Sequence, residues 1–224
     1  MWQAGGMHIG ILGGTGPAGS ALGARLASVG YEVTIGSRSA DRARDVCVDL
    51  TEKYPELAAL LRGGDNAAAA ACDVIVIATP WDSAATTVQE NAESLAGKIL
   101  ISMANALVRV AGEFQPLLPP RGSVAAHIQA AAPLCKVVAA FHHLPAKELG
   151  HLGSPIDSDV LICSDDQASL RLVAEIVDRI PGCRPLDAGQ LSNATAIEAF
   201  TAVLLQLNVR YKTRVAPKLT GIRE

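Results

Sequence analysis

Ile9-Gly10-Ile11-Leu12-Gly13-Gly14-Thr15-Gly16-Pro17-Ala18-Gly19 decides how the rest of this chain is read. A short apolar run enters a glycine-rich turn in which Gly14, Gly16 and Gly19 meet the spacing G-x-G-x-x-G. In that pattern the first glycine permits a tight turn, the second lets the main chain approach a pyrophosphate, and the third lets a helix pack closely on the strand. Ala18 to Val29 follows with Leu22, Leu26 and Val29 on one helical face, Gly30 stops it, and Tyr31 to Ile35 is a β-branched strand. The unit predicts a strand, turn, helix and second strand, with unpaired N–H groups at the helix start facing a phosphate.

The end of the second strand bears on which dinucleotide binds. NAD enzymes place an acid there for the ribose 2′-hydroxyl, whereas this chain has Gly36-Ser37-Arg38, with Arg42 one helical turn beyond. No carboxylate is present to repel a phosphate. A hydroxyl and two guanidinium groups suit the 2′-phosphate of NADP through charge-assisted hydrogen bonds. The alternative for Arg38 and Arg42 is a solvated surface role.

Bulk properties set the frame. At 224 residues the chain predicts one NADP-binding domain over residues 1–224, a Rossmann-type doubly wound and mainly parallel α/β sheet with a small C-terminal helix-containing extension. Residues 1–140 read as the dinucleotide-binding core and 141–224 as a C-terminal part. A net charge of −3 supplies no basic field for nucleic acid. Cys47, Cys72, Cys135, Cys163 and Cys183 form no C-x-x-C pair, so they read as reduced core thiols of a cytoplasmic protein. No apolar run is long enough for a membrane span, and Met1 to Gly6 reads as a loose N-terminal extension.

Along the chain, Ala40 to Tyr54 predicts a helix ended by Pro55, and Gly63 to Asn66 a cap for a short helix over Ala67 to Ala71. Val74 to Ile77 is the clearest buried strand, ending at Thr79-Pro80-Trp81 beside the glycine turn. Trp81 there is a cofactor contact, or a core or lid aromatic. Ser83 to Leu95 predicts one helix, Lys98 to Ser102 a strand leading to Asn105, and Gln115 to Gly122 a proline-rich loop. Ser123 caps a helix to Ala132, and Val137 to Phe141 is a strand that delivers His142 and His143. No ligand set accompanies that pair, which argues against a metal; His142 has a positioning role at the site or is a satisfied structural histidine. Asp159 to Cys163 predicts a strand, Ser164 to Gln167 a cap for a helix over Ala168 to Ile180, and Ser192-Asn193 the start of a long apolar last helix. Val203, Leu204, Leu207 and Tyr211 extend its apolar stripe, which predicts burial against the sheet, against a second copy in a homodimer, or both.

Taken together, Gly13 to Gly19, Gly36-Ser37-Arg38, Thr79-Pro80-Trp81, Phe141 to Ala146 and Arg184 to Asn193 resemble the NADPH-dependent coenzyme F420 reductases over nearly the whole chain. Arg184-Pro185-Leu186-Asp187-Ala188-Gly189-Gln190-Leu191-Ser192-Asn193, just before the last helix, is the most particular of these matches. The resemblance implies an oxidoreductase that moves a hydride reversibly between nicotinamide C4 of NADP(H) and C5 of the F420 deazaflavin. It implies that Gly14 to Gly19, with Thr15, Gly16, Pro17 and Ala18, hold the pyrophosphate. Ser37, Arg38 and Arg42 would take the 2′-phosphate, Thr79, Pro80, Trp81, Asn105 and Ala146 line the nicotinamide end, and Ala216 meet the deazaflavin, a site completed by residues 141–224. The rivals are another NADP-dependent reductase of the imine-reductase type, which usually needs an extra helical domain, and a non-catalytic NADP-binding redox sensor.

Overall fold

A computed structural model describes residues 6–222, so the expected N-terminal extension lies, apart from Gly6, outside the described residues. The chain opens with β1 (His8–Leu12), α1 (Pro17–Ser28), β2 (Glu32–Ser37), α2 (Ala40–Lys53), β3 (Leu61–Asp65), α3 (Asn66–Ala70) and β4 (Val74–Ile77). It continues through α4 (Ala84–Glu90), α5 (Ala92–Leu95), β5 (Ile99–Ser102), the hairpin β6 (Leu107–Val110) and β7 (Glu113–Pro116), α6 (Val124–Ala131) and β8 (Lys136–Ala139). After these come α7 (Ala146–Leu149), β9 (Ser158–Ser164), α8 (Gln167–Asp178), β10 (Cys183–Asp187) and α9 (Ala194–Tyr211).

The main sheet has the order β10-β9-β8-β5-β4-β1-β2-β3. Its pairings are parallel except β8 with β9. The chain winds outward from β1 through β2 to β3, then returns to the other side of β1 with β4. The crevice between β1 and β4 is the topological switch point, where ligands of open α/β sheets bind. Strand residues alternate between two cores. Ile9, Ile11, Val74 and Val76 pack with Leu22 and Leu26 of α1 on one face, while Ile75, Ile77 and Leu100 pack with Ala69 of α3, Val88 of α4 and Ile128 of α6 on the other. Covered faces on both sides explain the continuous apolar runs in β1 and β4.

Several expectations need correction. Residues 61–65 form a parallel strand on β2, not a cap alone, although Asp65 does cap α3 by accepting the Ala68 N–H at 2.8 Å. The helix expected over Ser83 to Leu95 breaks at Asn91, whose side-chain amide takes the Thr87 carbonyl at 2.8 Å while its own N–H moves to the Val88 carbonyl. The proline-rich loop begins as β7, antiparallel to β6. Ser123 caps α6 as the sequence predicts, whereas α8 is capped not by a box opening at Ser164 but by Asp166, whose Oδ1 accepts the Ser169 N–H at 2.8 Å, so that both acids precede the helix.

Candidate active site

The glycine turn sits at the carboxyl end of β1. Gly13, not Gly14, takes the positive φ of 68° that the tight turn requires. Its N–H donates to Asn66 Oδ1 at 3.1 Å, and the Gly14 N–H donates to the Gly36 carbonyl at 2.8 Å, so β2 and α3 both brace the turn. A Cβ on Gly19 would lie 2.8 Å from Gly14 Cα, which is the close packing of helix on strand expected at that position. A Cβ on Gly16 would meet nothing within 4 Å. Gly16 is also the N-cap of α1, Pro17 occupies the first turn, and neither a capping side chain nor an acid is present there. The first N–H groups of α1 thus face open space with the positive end of the helix behind them, an arrangement that fits an anion.

Beyond β2, Ser37 is buried and its Oγ accepts the Ser39 N–H at 3.3 Å. Ser39 caps α2 through the Arg42 N–H at 3.3 Å, which places Arg38 just before the helix and Arg42 in its first turn. Both arginines are exposed, and among the described residues neither makes an ion pair.

On the other side of β1, a row of buried polar atoms has no partner: Thr79 Oγ1 just past β4, Ser102 Oγ at the end of β5, and both ring nitrogens of His142 past β8. These strands are neighbours in the sheet, so the three residues follow one another across its carboxyl edge, outward from the glycine turn. Buried polar groups normally find partners, and three unpaired side chains in succession fit the outline of a ligand. Thr79 packs directly against Gly13, and Trp81 lies half-buried against the core beneath α3 and α4. Pro80 is exposed between them.

The row ends in a pocket of ≈ 270 Å³ lined by Asn105, His142, His143, Ala146, Thr201 and Asn208 among others. His142 is 6% exposed, and burial, with the adjoining His143, pulls its pKa down to about 3. At neutral pH it is an uncharged ring with one N–H to give and one lone pair to accept. It follows Phe141, which holds a φ of 65°, a strained conformation for an aromatic residue. His143 turns away, with Nε2 donating to the Ile197 carbonyl at 2.7 Å. Asn105 is already engaged: Nδ2 donates to the His142 carbonyl at 3.2 Å and Oδ1 accepts from Thr201 Oγ1 at 3.1 Å. It shapes the pocket wall and keeps one N–H in reserve. Val215 lines the pocket, and Ala216 beside it is half-buried. The next residue, Pro217, accepts the Asp159 N–H at 2.8 Å.

Arg184, at the head of the most particular sequence match, grips the fully buried Asp159 with two bonds of 2.9 and 2.8 Å and donates to the Leu219 carbonyl at 2.7 Å. It therefore holds the C-terminal segment against the sheet. Sequence reasoning missed Asn66, Ser102 and Thr201, which had no motif of their own; each is recognisable only once the strand ends are side by side. Among the described residues no cluster of His, Cys, Asp or Glu could hold a metal ion, and no helix is long and apolar enough to cross a membrane.

A doubly wound sheet with an open glycine turn, an uncapped helix and a crevice of unpaired donors defines a dinucleotide-binding protein of the oxidoreductase type. Residues 8–106 match the family described as NADP oxidoreductase coenzyme F420-dependent. The F420-dependent NADP reductase of Methanocaldococcus jannaschii is 36% identical over 97% of both chains, and that of Methanothermobacter marburgensis 34% identical over the same shares. The crystal structure of a putative F420-dependent NADP reductase from Arthrobacter sp. FB24 superposes with a TM-score of 0.79 at 28% identity, covering 95% of this chain and 100% of the other. This chain belongs to the F420-dependent NADP oxidoreductase family.

Proposed function

We propose that this protein transfers a hydride reversibly between NADP(H) and coenzyme F420, each cofactor held by the part of the crevice that fits it. The observation that carries the reading is the row of unpaired polar atoms from Thr79, beside the glycine turn, through Ser102 to His142, which lines the pocket. The family relatives, named for the same pair of cofactors over nearly their whole length, support it. The two cofactors carry the redox chemistry themselves, one supplying the hydride and the other accepting it. The protein's part is to bind both at once, align them and exclude water. In this reading the α1 start and Gly14 to Gly19 take the pyrophosphate. Thr79, Pro80, Trp81, Asn105 and Ala146 frame the nicotinamide end, and Ala216 borders the deazaflavin. His142, neutral and unpartnered, positions a ring edge. Oxidation of NADPH, followed by its absorbance on adding purified F420, tests the assignment; no oxidation at any pH between about 5 and 9 would refute it.

Specificity for NADP over NAD rests on Ser37, Arg38 and Arg42. Arg38→Ala should weaken NADPH binding by about 1.5–3 kcal/mol, one to two decades, and leave NADH almost unchanged. Titration of both nucleotides against the variant checks this, and equal weakening would remove Arg38 from the site.

The assembly we infer is a homodimer. Outward-facing Val203 and Tyr211 are 51 and 72% exposed, and with the half-buried Leu207 and with Phe200, 39% exposed beside His143, they recur at helical spacing along α9. Leu204 points inward instead, so the helix is apolar on two sides rather than one. The hairpin β6–β7 adds Val108 and Val110 to the exposed apolar surface, held to α9 by the Arg210–Glu113 pair at 2.8 Å. Sedimentation equilibrium at micromolar concentration should give about twice 23.2 kDa, and a single 23.2 kDa species would contradict the dimer. Five free, buried cysteines accord with a reducing, cytoplasmic location.

A further inference from the structure

Glu198 is the only acid in α9, it is 4% exposed, and its carboxylate serves a different helix. Oε2 accepts the Val124 N–H at 2.8 Å and Oε1 the Ala125 N–H at 3.0 Å, the first two residues of α6. Ser123 takes the third, accepting the Ala126 N–H at 3.0 Å. These N–H groups have no partners within their own helix, so Glu198 is a cap delivered from a distant part of the chain.

The same turn of α9 reaches the pocket. One residue earlier, the Ile197 carbonyl accepts from His143 at 2.7 Å; three residues later, Thr201 donates to Asn105 at 3.1 Å, and Asn105 to the His142 carbonyl at 3.2 Å. The Phe200 ring stands edge-on to His143 at 5.5 Å. A single helical turn thus joins α6, the segment after β5 and the segment after β8. The last two form pocket wall, and the carboxylate anchors their common support to α6.

We propose that Glu198 is a positioning residue for the deazaflavin side of the site, an inference that rests on the function proposed above. By holding the 197–201 turn of α9 on the start of α6, its ionised form fixes where His142, His143 and Asn105 stand. Burial raises the Glu198 carboxyl to about 7 against the opposing pull of the two N–H groups, so it changes charge in the neutral range. Protonation puts an O–H opposite an N–H, and one of the two bonds to α6 is lost. The titratable groups near this junction are Cys163 from β9, His143 from the segment after β8, and His127 one turn past Ser123 on α6. Burial, then the Glu198 charge, pushes the Cys163 thiol up to about 12, which keeps it neutral; Asp165 and Asp187 act on it in the same sense. Burial holds His143 below its ordinary value. The pocket is therefore best formed on the alkaline side of neutrality.

Glu198→Gln keeps the volume and removes the charge, while Ser123→Ala removes the other α6 cap without touching α9. In wild type the KM for F420 should rise about fivefold to tenfold as pH falls through neutrality, while the KM for NADPH stays within about twofold. Glu198→Gln should show the raised F420 KM at every pH and no inflection. Ser123→Ala should lower Tm yet keep the wild-type profile. An inflection that survives in Glu198→Gln, equal weakening of both cofactors, or a Ser123→Ala profile matching that of Glu198→Gln would overturn the proposal. Hydrogen exchange on the ligand-free proteins separates this from the functional reading. Residues 124–126 and 142–146 should both exchange faster in Glu198→Gln, and only the first in Ser123→Ala; unchanged exchange at 142–146 in Glu198→Gln refutes the positioning role whether or not F420 is turned over.

Discussion

Arg25→Met is expected to lower the unfolding free energy by about 3–5 kcal/mol, because a hydrogen bond to a charged group is worth about 1.5–3 kcal/mol and several are lost at once, with only some of the freed carbonyls able to turn to water. Arg25 lies on α1, 1% exposed, and every N–H of its guanidinium is used. Nε donates to Leu149 at 3.0 Å, Nη1 to Leu152 and Ser154 at 3.5 and 3.2 Å, and Nη2 to Glu148 and His151 at 2.9 and 2.7 Å, all main-chain carbonyls. One cation therefore shapes the end of α7 and the loop that follows it, where the carbonyls of a helix C-terminus favour positive charge. Methionine fills much of the volume and leaves five carbonyls to find other donors. Arg25→Lys, with three donors on a compact head, should fall between the two. Urea denaturation of the three proteins measures the effect, and a loss below about 1 kcal/mol for Arg25→Met would mean that the loop is held by its own contacts. Because α7 begins at Ala146, on the pocket wall, the substitution should also weaken F420 binding.

Gly16→Val should separate binding from folding. The residue has φ −76° and ψ 164°, an extended conformation that valine adopts, and its Cβ would enter open space. Stability should change by less than about 1 kcal/mol. The added side chain would occupy the ground where the main chain meets a pyrophosphate, and NADPH affinity should fall by at least about 100-fold, roughly 2.7 kcal/mol. Calorimetric titration alongside thermal melting gives both numbers. Wild-type affinity in a well-folded variant would place the dinucleotide elsewhere.

How much of this the sequence disclosed depends on how local each signal was. The β1 to β2 unit, β4 and the cap at Ser123 are short-range patterns, and they were legible; at α8 the stretch 164–167 marked a helix start but not Asp166 as its cap. β3 was not, because Gly63 and Gly64 resemble a turn; the structure needs glycine at 63, where a Cβ would lie 2.5 Å from the Ala43 main chain of α2. The β6–β7 turn has Ala111 and Gly112 both at positive φ, a hairpin turn written without the usual asparagine. No strand was read at β10, which carries Pro185 at the sheet edge, where proline is tolerated. At the site, the glycine turn and the start of α1 lie within one unit and were readable. The partners of Asn105, His143 and Glu198 are between 37 and 96 residues away along the chain, and no pattern along it connects them. Arg25 and Glu198 look like surface charges until the elements that bury them are in place.

The central claim is hydride transfer between two cofactors bound together. NADPH deuterated at C4, prepared as each of its two stereoisomers, should be mixed with enzyme and oxidised F420, and the reduced deazaflavin examined by NMR and mass spectrometry. The account predicts deuterium at C5 of the deazaflavin from one stereoisomer, with none lost to solvent and initial rates that require both cofactors at once. Label released into water, or reduction that proceeds in two half-reactions with each cofactor alone, would contradict it.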